Sequence, residues 1–364
     1  MSDFDRDIYC VAGLPIDALN MDKAISVLRN AKFHNKSCFM TTPNTNFIAL
    51  AHQDEKFLNS VIYSDLVIAD GTPIIWMSKL LGIPIRQRVA GSNLFETLSQ
   101  EKRRKMKVYF LGGPDGVAKE ASERLNQHST ALTCMGYYSP GFGTIDDMST
   151  DEIINNINAS GADFLVVALG AKKGQAWILK NIHRIKIPLV SHLGAVINFE
   201  ANRLKRAPLF IQELGFEWLW RIKEEPTLWR RYWNDGLYFL KLLFTTLLPF
   251  RCWLKRNQPR FETLKSVSKV TLLQTEDVTT MKVSGAICDP VSSEIRDFFK
   301  QASQTGKHFQ LDLNEAAYVS FGFLGLFLLM KKSLDKLGKE VKIINPNTEI
   351  AKVIRWNKLD YLVK

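Results

Sequence analysis

An α/β fold with a parallel sheet is what this sequence predicts, and three observations carry the prediction. Between residues 36 and 200 short apolar runs alternate with helix-like segments. The runs are apolar almost throughout, as strands are when a sheet is covered on both faces. Four of them end in glycine or small polar residues just before the next segment, in the manner of βα turns. The result is a Rossmann-like, doubly wound parallel layer.

In order, KSCFMTT reads as a strand and NFIALAHQDEKFLNSVIY as a helix. SDLVIAD is a strand, and TPIIWMSKLLG a helix with Thr72 at its N-cap and Pro73 in its first turn. MKVYFLGG is a strand and PDGVAKEASERLNQH a helix; ADFLVVALG and IPLVSHLG are two more strands, each with a helix behind it. Residues 204–260 differ. Residues 200–260 hold 12 Lys/Arg against 6 Asp/Glu, more than half of the net +11, and five of the eight tryptophans. Its segment GLYFLKLLFTTLLPFRCWLKR has an apolar body of about 15 residues, short of the roughly 20 that span a bilayer. It reads as an interfacial helix with Trp253 at an edge and Arg251, Lys255 and Arg256 towards lipid phosphates, or as a helix packed on its own domain.

Beyond KRNQPRFE the order is β (VTLLQT), β (TTMKVSG), α (VSSEIRDFFKQAS), β (HFQLDLN), α (FLGLFLLMKKSLDKLG), β (EVKIINP) and α (TEIAKVIRWNKL), enough for an independent α/β domain. Three segments follow: a Rossmann-like core over 1–203, a basic, aromatic helical appendage over 204–260, and a smaller α/β domain over 261–364. The N-terminus has no apolar h-region, which speaks against a secretory signal. The five cysteines have no CxxC spacing, which suits a reducing cytosol and argues against structural zinc or a disulfide framework. The basic, aromatic window points to an acidic ligand or an anionic membrane surface, with no nucleic acid expected.

Ligands of parallel α/β sheets bind at the carboxyl ends of the strands. The turns there are Thr41-Thr42-Pro43-Asn44, Asp70-Gly71-Thr72, Gly112-Gly113-Pro114-Asp115-Gly116 and Gly170-Ala171-Lys172-Lys173-Gly174-Gln175. Glycines at helix starts let the backbone approach phosphate, so the set suggests a nucleotide site. GGPDG is not GxGxxG, and no acidic residue lies about 20 positions on, which disfavours a nicotinamide oxidoreductase. There is no histidine cluster with ligand spacing, and DxD occurs only at the N-terminus, in Asp3-Phe4-Asp5-Arg6-Asp7, so neither metal nor cofactor is expected. Cationic side chains would then stabilise phosphate charge. Asp70 reads either as a turn residue helping to cap the next helix or, since Thr72 and Pro73 already open that helix, as a free base at the mouth of the sheet.

TTPNTN, SDLVIADGTPIIW, RQRVAGSNL, VYFLGGPDG, GYYSPGF, ADFLVVALGA and KRAPLFIQELGFEWLWRIKEEPTLWRRY occur in this order. Over residues 8–245 they resemble the WecG/TagA/CpsF glycosyltransferases (glycosyltransferase family 26). The resemblance implies a metal-independent, inverting transfer from a UDP-sugar to a polyprenyl-diphosphate-linked sugar in exopolysaccharide or cell-envelope glycan synthesis. The enzyme would be cytoplasmic and peripheral on the membrane. It assigns Asp70 as general base, with Thr42 and Asn44 in the same pocket. Arg88, Arg206, Arg221 and Arg231 are implied as diphosphate holders, and Gly112, Gly113, Gly170 and Gln175 as substrate-binding positions. The usual G-x-P-x-Q-E reads Gly170-Ala171-Lys172-Lys173-Gly174-Gln175 here, so Pro, Gln and Glu are replaced; Asn93, Asn198 and Asn202 are further departures. Residues from about 265 onward resemble a STAS domain of the anti-sigma-factor-antagonist type, which implies a binding or regulatory module with a possible protein partner. Its usual D-S-S-G reads Ser320-Phe321-Gly322-Phe323, which implies a helix cap at Ser320 in place of a phosphoacceptor. The rival reading is a catalytically impaired scaffold that recruits partners through this domain.

Overall fold

Six parallel strands carry the first part of the chain, as a computed structural model describes it for residues 3–101, 105–213 and 215–364. In chain order the strands are β1 (Ile8–Val11), β2 (Leu14–Asp17), β3 (Cys38–Thr41), β4 (Leu66–Val67), β5 (Met106–Gly112), β6 (Leu132–Tyr138), β7 (Phe164–Ala168) and β8 (Leu189–His192). They continue with β9 (Lys269–Gln274), β10 (Val278–Ile287), β11 (His308–Val319) and β12 (Val341–Ile344). Two compact units form. One comprises residues 19–72 and 87–237, the other residues 1–18, 73–86 and 238–364.

In the first unit the parallel sheet has the order β4-β3-β8-β7-β5-β6. One face packs on a cluster around Phe95, Phe110 and Phe164, the other on a cluster around Trp177, Leu165 and Val190. Burial on both faces is why these strands read as unbroken apolar runs. The exception is the edge strand β6, whose exposed residues alternate with buried ones and whose sequence therefore gave no strand signal. The helix expected over 46–63 is two helices, Thr45–Ala51 and Glu55–Ile62. Asp54 breaks it by accepting from the amides of Lys56 and Phe57, at 3.0 and 3.2 Å, as the N-cap of the second.

The second unit has the sheet order β12-β11-β10-β9, with β9 antiparallel to β10 and the other pairs parallel. Its helix Phe321–Asp335 is apolar all round and almost wholly buried, and such a helix must be covered on both sides. The sheet covers one side. The β1–β2 hairpin lies along another, so close at Gly325 that a Cβ there would sit 2.8 Å from the carbonyl oxygen of Ile8. Arg296 fastens the hairpin's lead-in, donating at 2.8 Å to the carbonyls of Phe4 and Arg6, and Lys332 pairs with Asp3 at 2.8 Å. Ser320 caps the helix, accepting from the Phe323 amide and donating to Asp289 at 2.9 Å; Phe321 is buried beside it.

Pro226–Lys265 is one helical stretch of 40 residues, long and apolar enough by length and composition to cross a membrane. It exceeds the apolar body of about 15 residues because its polar flanks are helical too, around a π-helical turn at Leu243–Leu247. Of the two readings of this segment, a lipid edge or packing on its own domain, Trp253 follows the second: it packs among Phe250, Phe261, Tyr318 and Trp356 at ring separations of 5.4 to 6.3 Å.

Candidate active site at the carboxyl edge of the parallel sheet

Asp70 emerges from β4 with its backbone held on both sides. Its amide donates to the Pro43 carbonyl at 2.9 Å, and its carbonyl accepts from Arg88 Nε at 2.9 Å. Gly71 follows because a Cβ there would lie 3.2 Å from the Asn44 backbone. The Asp70 carboxylate accepts from the Gly91 amide at 3.3 Å and lies 3.7 Å from Arg88 Nη2. The same Nη2 pairs closely with Glu217, so two carboxylates share one guanidinium. Glu217 belongs to the helix Glu217–Glu224, in the aromatic appendage.

Burial pushes the Asp70 carboxyl up to about 7; Arg88 counteracts this, Glu217 adds to it, and the Gly91 amide and Arg221 oppose it. Replacing Glu217 by glutamine removes a neighbouring negative charge, so the Asp70 titration midpoint is expected to fall. Carbon-13 NMR of the labelled carboxyl reads this directly, and a midpoint that stays or rises would contradict the arrangement.

Thr42 stands next to this group, its Cγ2 3.2 Å from where a Cβ on Gly91 would be. Asn44 caps the helix Thr45–Ala51, accepting from the Phe47 amide at 3.1 Å. Gly112 and Gly113 serve the sheet: a Cβ at 112 would lie 2.5 Å from the Ala168 carbonyl oxygen, and the Gly113 amide donates to that oxygen at 2.9 Å. Gly170, at φ 77°, opens the helix Ala171–Asn181. Gln175 is fully buried and donates to Thr41 Oγ1.

The arginines divide. Arg206 bonds Glu96, Asn93 and Ser92, while Arg221 pairs with Glu225 at 2.6 Å. Both guanidinium groups lie over the ring of Phe199, at 5.4 and 5.2 Å. Arg231 is exposed, over Tyr232, and is not gathered with them. Two residues here carry no local sequence signal: Glu217 lies inside the GFEWLWR motif, and His192 ends β8 as an unremarkable strand residue. Burial pushes His192 down to about 4, which leaves its ring uncharged at neutral pH. A cavity of about 580 Å³ lined by Ser99, Arg124, His128, Ser129, Phe199 and Glu200 lies beside the residues that precede β5 and β6; it shares Phe199 with Arg206 and Arg221, and neither Asp70, Arg88, Glu217 nor His192 lines it. Among the described residues no three His, Cys, Asp or Glu side chains converge to hold a metal ion.

Residues 9–252 match the glycosyl transferase WecG/TagA/CpsF family, and residues 270–364 match the Mlab STAS domain family. A Bacillus spizizenii protein, N-acetylglucosaminyldiphosphoundecaprenol N-acetyl-β-D-mannosaminyltransferase, is 30% identical over 210 residues, covering 57% of this chain and 80% of that protein. The Staphylococcus aureus protein of the same name is 24% identical over 217 residues, 58% of this chain and 82% of its own. Among solved structures, the unphosphorylated anti-sigma factor antagonist SpoIIAA overlaps 26% of this chain and 86% of its own, with 13% identity and a TM-score of 0.24.

Proposed function

Because this chain belongs to the WecG/TagA/CpsF family of glycosyltransferases, we propose that it moves a sugar from a UDP-sugar onto a polyprenyl-diphosphate-linked amino sugar in cell-envelope glycan synthesis. The observation that carries the proposal is Asp70: a carboxyl held near neutrality at the carboxyl edge of the sheet, with Arg88 against it. The names of the relatives supply the acceptor class, a diphosphate-linked N-acetylglucosamine on a polyprenol.

In this reading Asp70 accepts the proton of the acceptor hydroxyl as its oxygen attacks the anomeric carbon. The new C–O bond forms opposite the breaking bond to phosphate, so the anomeric centre inverts. UDP leaves with the electron pair, and Arg88, Arg206 and Arg221 hold its charge where a metal serves elsewhere. Thr42 lines the pocket, and Asn44 shapes it by capping the helix behind. Calorimetry in the presence of a chelator tests the donor assignment. UDP is expected to bind without added metal; no detectable binding at millimolar UDP would favour the non-catalytic scaffold.

We place the enzyme peripherally on the cytoplasmic face of the membrane. Trp229, Trp233, Leu237 and Leu240 are all exposed and recur at three- and four-residue spacing along the helix Trp229–Leu242, and the exposed Phe244 follows in the π-helical turn. Arg230, Arg231 and Lys241 accompany them on the same helix, a composition that suits an anionic lipid surface. The triple variant Trp233→Ser, Leu237→Ser and Phe244→Ser is expected to leave anionic vesicles in a flotation assay. Unchanged flotation would contradict this surface. The helix Phe321–Asp335 offers little free face to a protein partner, so a partner of the STAS domain docks elsewhere on that domain.

A further inference from the structure

We propose that His192 and Gln175 form a polar subsite that selects an uncharged donor sugar over an acidic one. This rests on the donor assignment above. β3 and β8 are neighbours with Met40 opposite Ser191, which places Thr41 beside His192 on one face of the sheet. The helix Ala171–Asn181 covers that face, its Trp177 and Ile178 packing with Phe39 and Val190. Gln175 of this helix spends its amide nitrogen on Thr41, and its Oε1 is buried without a partner. The Nε2 of His192 is likewise buried and unpartnered. Buried polar atoms are nearly always hydrogen-bonded, so these two, among seven such atoms in the described residues, leave bonding capacity for a ligand group where the helix meets the end of β8.

The backbone is cut to fit the imidazole. A Cβ on Gly174 would lie 2.3 Å from His192 Cδ2, and one on Gly194 would lie 3.3 Å from Nε2. Glycine therefore stands at 174, where the resembled motif carries glutamine, and the ring from β8 fills the space a side chain there would take. Gln175 Oε1 can only accept, and the imidazole offers a nitrogen as donor or acceptor. The complementary groups are hydroxyls and amides. The loop's two lysines are engaged elsewhere: Lys172 pairs with Asp54 at 2.6 Å, and Lys173 donates to the Gly143 carbonyl at 2.9 Å. A sugar carboxylate at this point would be desolvated with no cation beside it. From β4, which leads to Asp70, to β8 is two strand spacings, roughly 10 Å, a span that a nucleotide sugar bridges.

The test compares binding of UDP, a UDP-linked N-acetylhexosamine and the matching UDP-linked hexuronic acid to the wild-type chain and to H192A. The wild type is expected to prefer the neutral sugar nucleotide to the acidic one. H192A is expected to bind the neutral sugar nucleotide about tenfold more weakly, with UDP unchanged. If H192A fails to fold by thermal melting, H192N gives the same readout. A wild type that prefers the hexuronic donor overturns the proposal. So does a variant that binds all three ligands like the wild type, which makes His192 a filler or a water ligand, and so does an equal loss for UDP and UDP-sugar. A wild type that binds no UDP overturns the donor assignment itself, a result distinct from any of these.

Discussion

Replacing Asp70 by asparagine is expected to slow sugar transfer by about 10²–10⁴-fold while the protein stays folded, because a hydroxyl nucleophile then lacks its positioned base. Asparagine keeps the shape, and its amide oxygen can still accept from the Gly91 amide. Below pH 7 the wild-type carboxyl is protonated and cannot act as base, so the transfer rate is expected to rise as pH passes through about 7 and then level off. Stability runs the other way. A carboxyl whose folded pKa is raised binds its proton more tightly folded than unfolded, so its favourable contribution is present below about pH 4 and is lost as pH climbs to about 7. Asp70→Asn is therefore expected to melt no lower than the wild type at pH 8. A marked fall there, with the rate loss, would make Asp70 a structural residue.

Deleting residues 1–18 is expected to unfold the C-terminal unit or drive it to aggregate. Ile8, Val11, Leu14 and Ile16 are completely buried, and each such side chain contributes about 1.5–3 kcal/mol. Together that is on the order of the 5–15 kcal/mol that stabilises a whole domain. The deletion also uncovers the helix Phe321–Asp335 and leaves Lys332 without Asp3 in a site where the lysine is 1% exposed. Denaturant unfolding followed by near-ultraviolet circular dichroism reads the loss. An unchanged midpoint and a monomeric deletion variant would show that the hairpin adds little. The result bears on the scaffold reading too, since a STAS helix already covered by its own chain is a poor recruiting surface.

The central parallel strands were legible because burial on both faces leaves a run of apolar residues whatever the topology. The edge strand β6 was not, since LTCMGYY is half exposed and mixes polar with apolar residues. The docking of the hairpin on Phe321–Asp335 was not legible either: an all-round apolar helix demands a cover but does not name it. Asp70 announced itself as a carboxylate interrupting an apolar run, and its chain neighbours told only what it was not needed for. That Glu217, 147 positions later, shares Arg88 with it depends on tertiary folding that no local pattern encodes. The loop GAKKGQ departs from the resembled motif at its Pro, Gln and Glu positions. In the fold its glycine makes room for His192, an exchange between residues 18 positions apart that spacing alone does not reveal.

The most direct test is product formation on a synthetic polyprenyl-diphosphate-linked N-acetylglucosamine, offered a panel of UDP-sugars with wild-type chain and followed by mass spectrometry of the lipid. One added sugar per acceptor is expected, with an equal release of UDP. Donor binding without any extended lipid, across the whole panel, would contradict it.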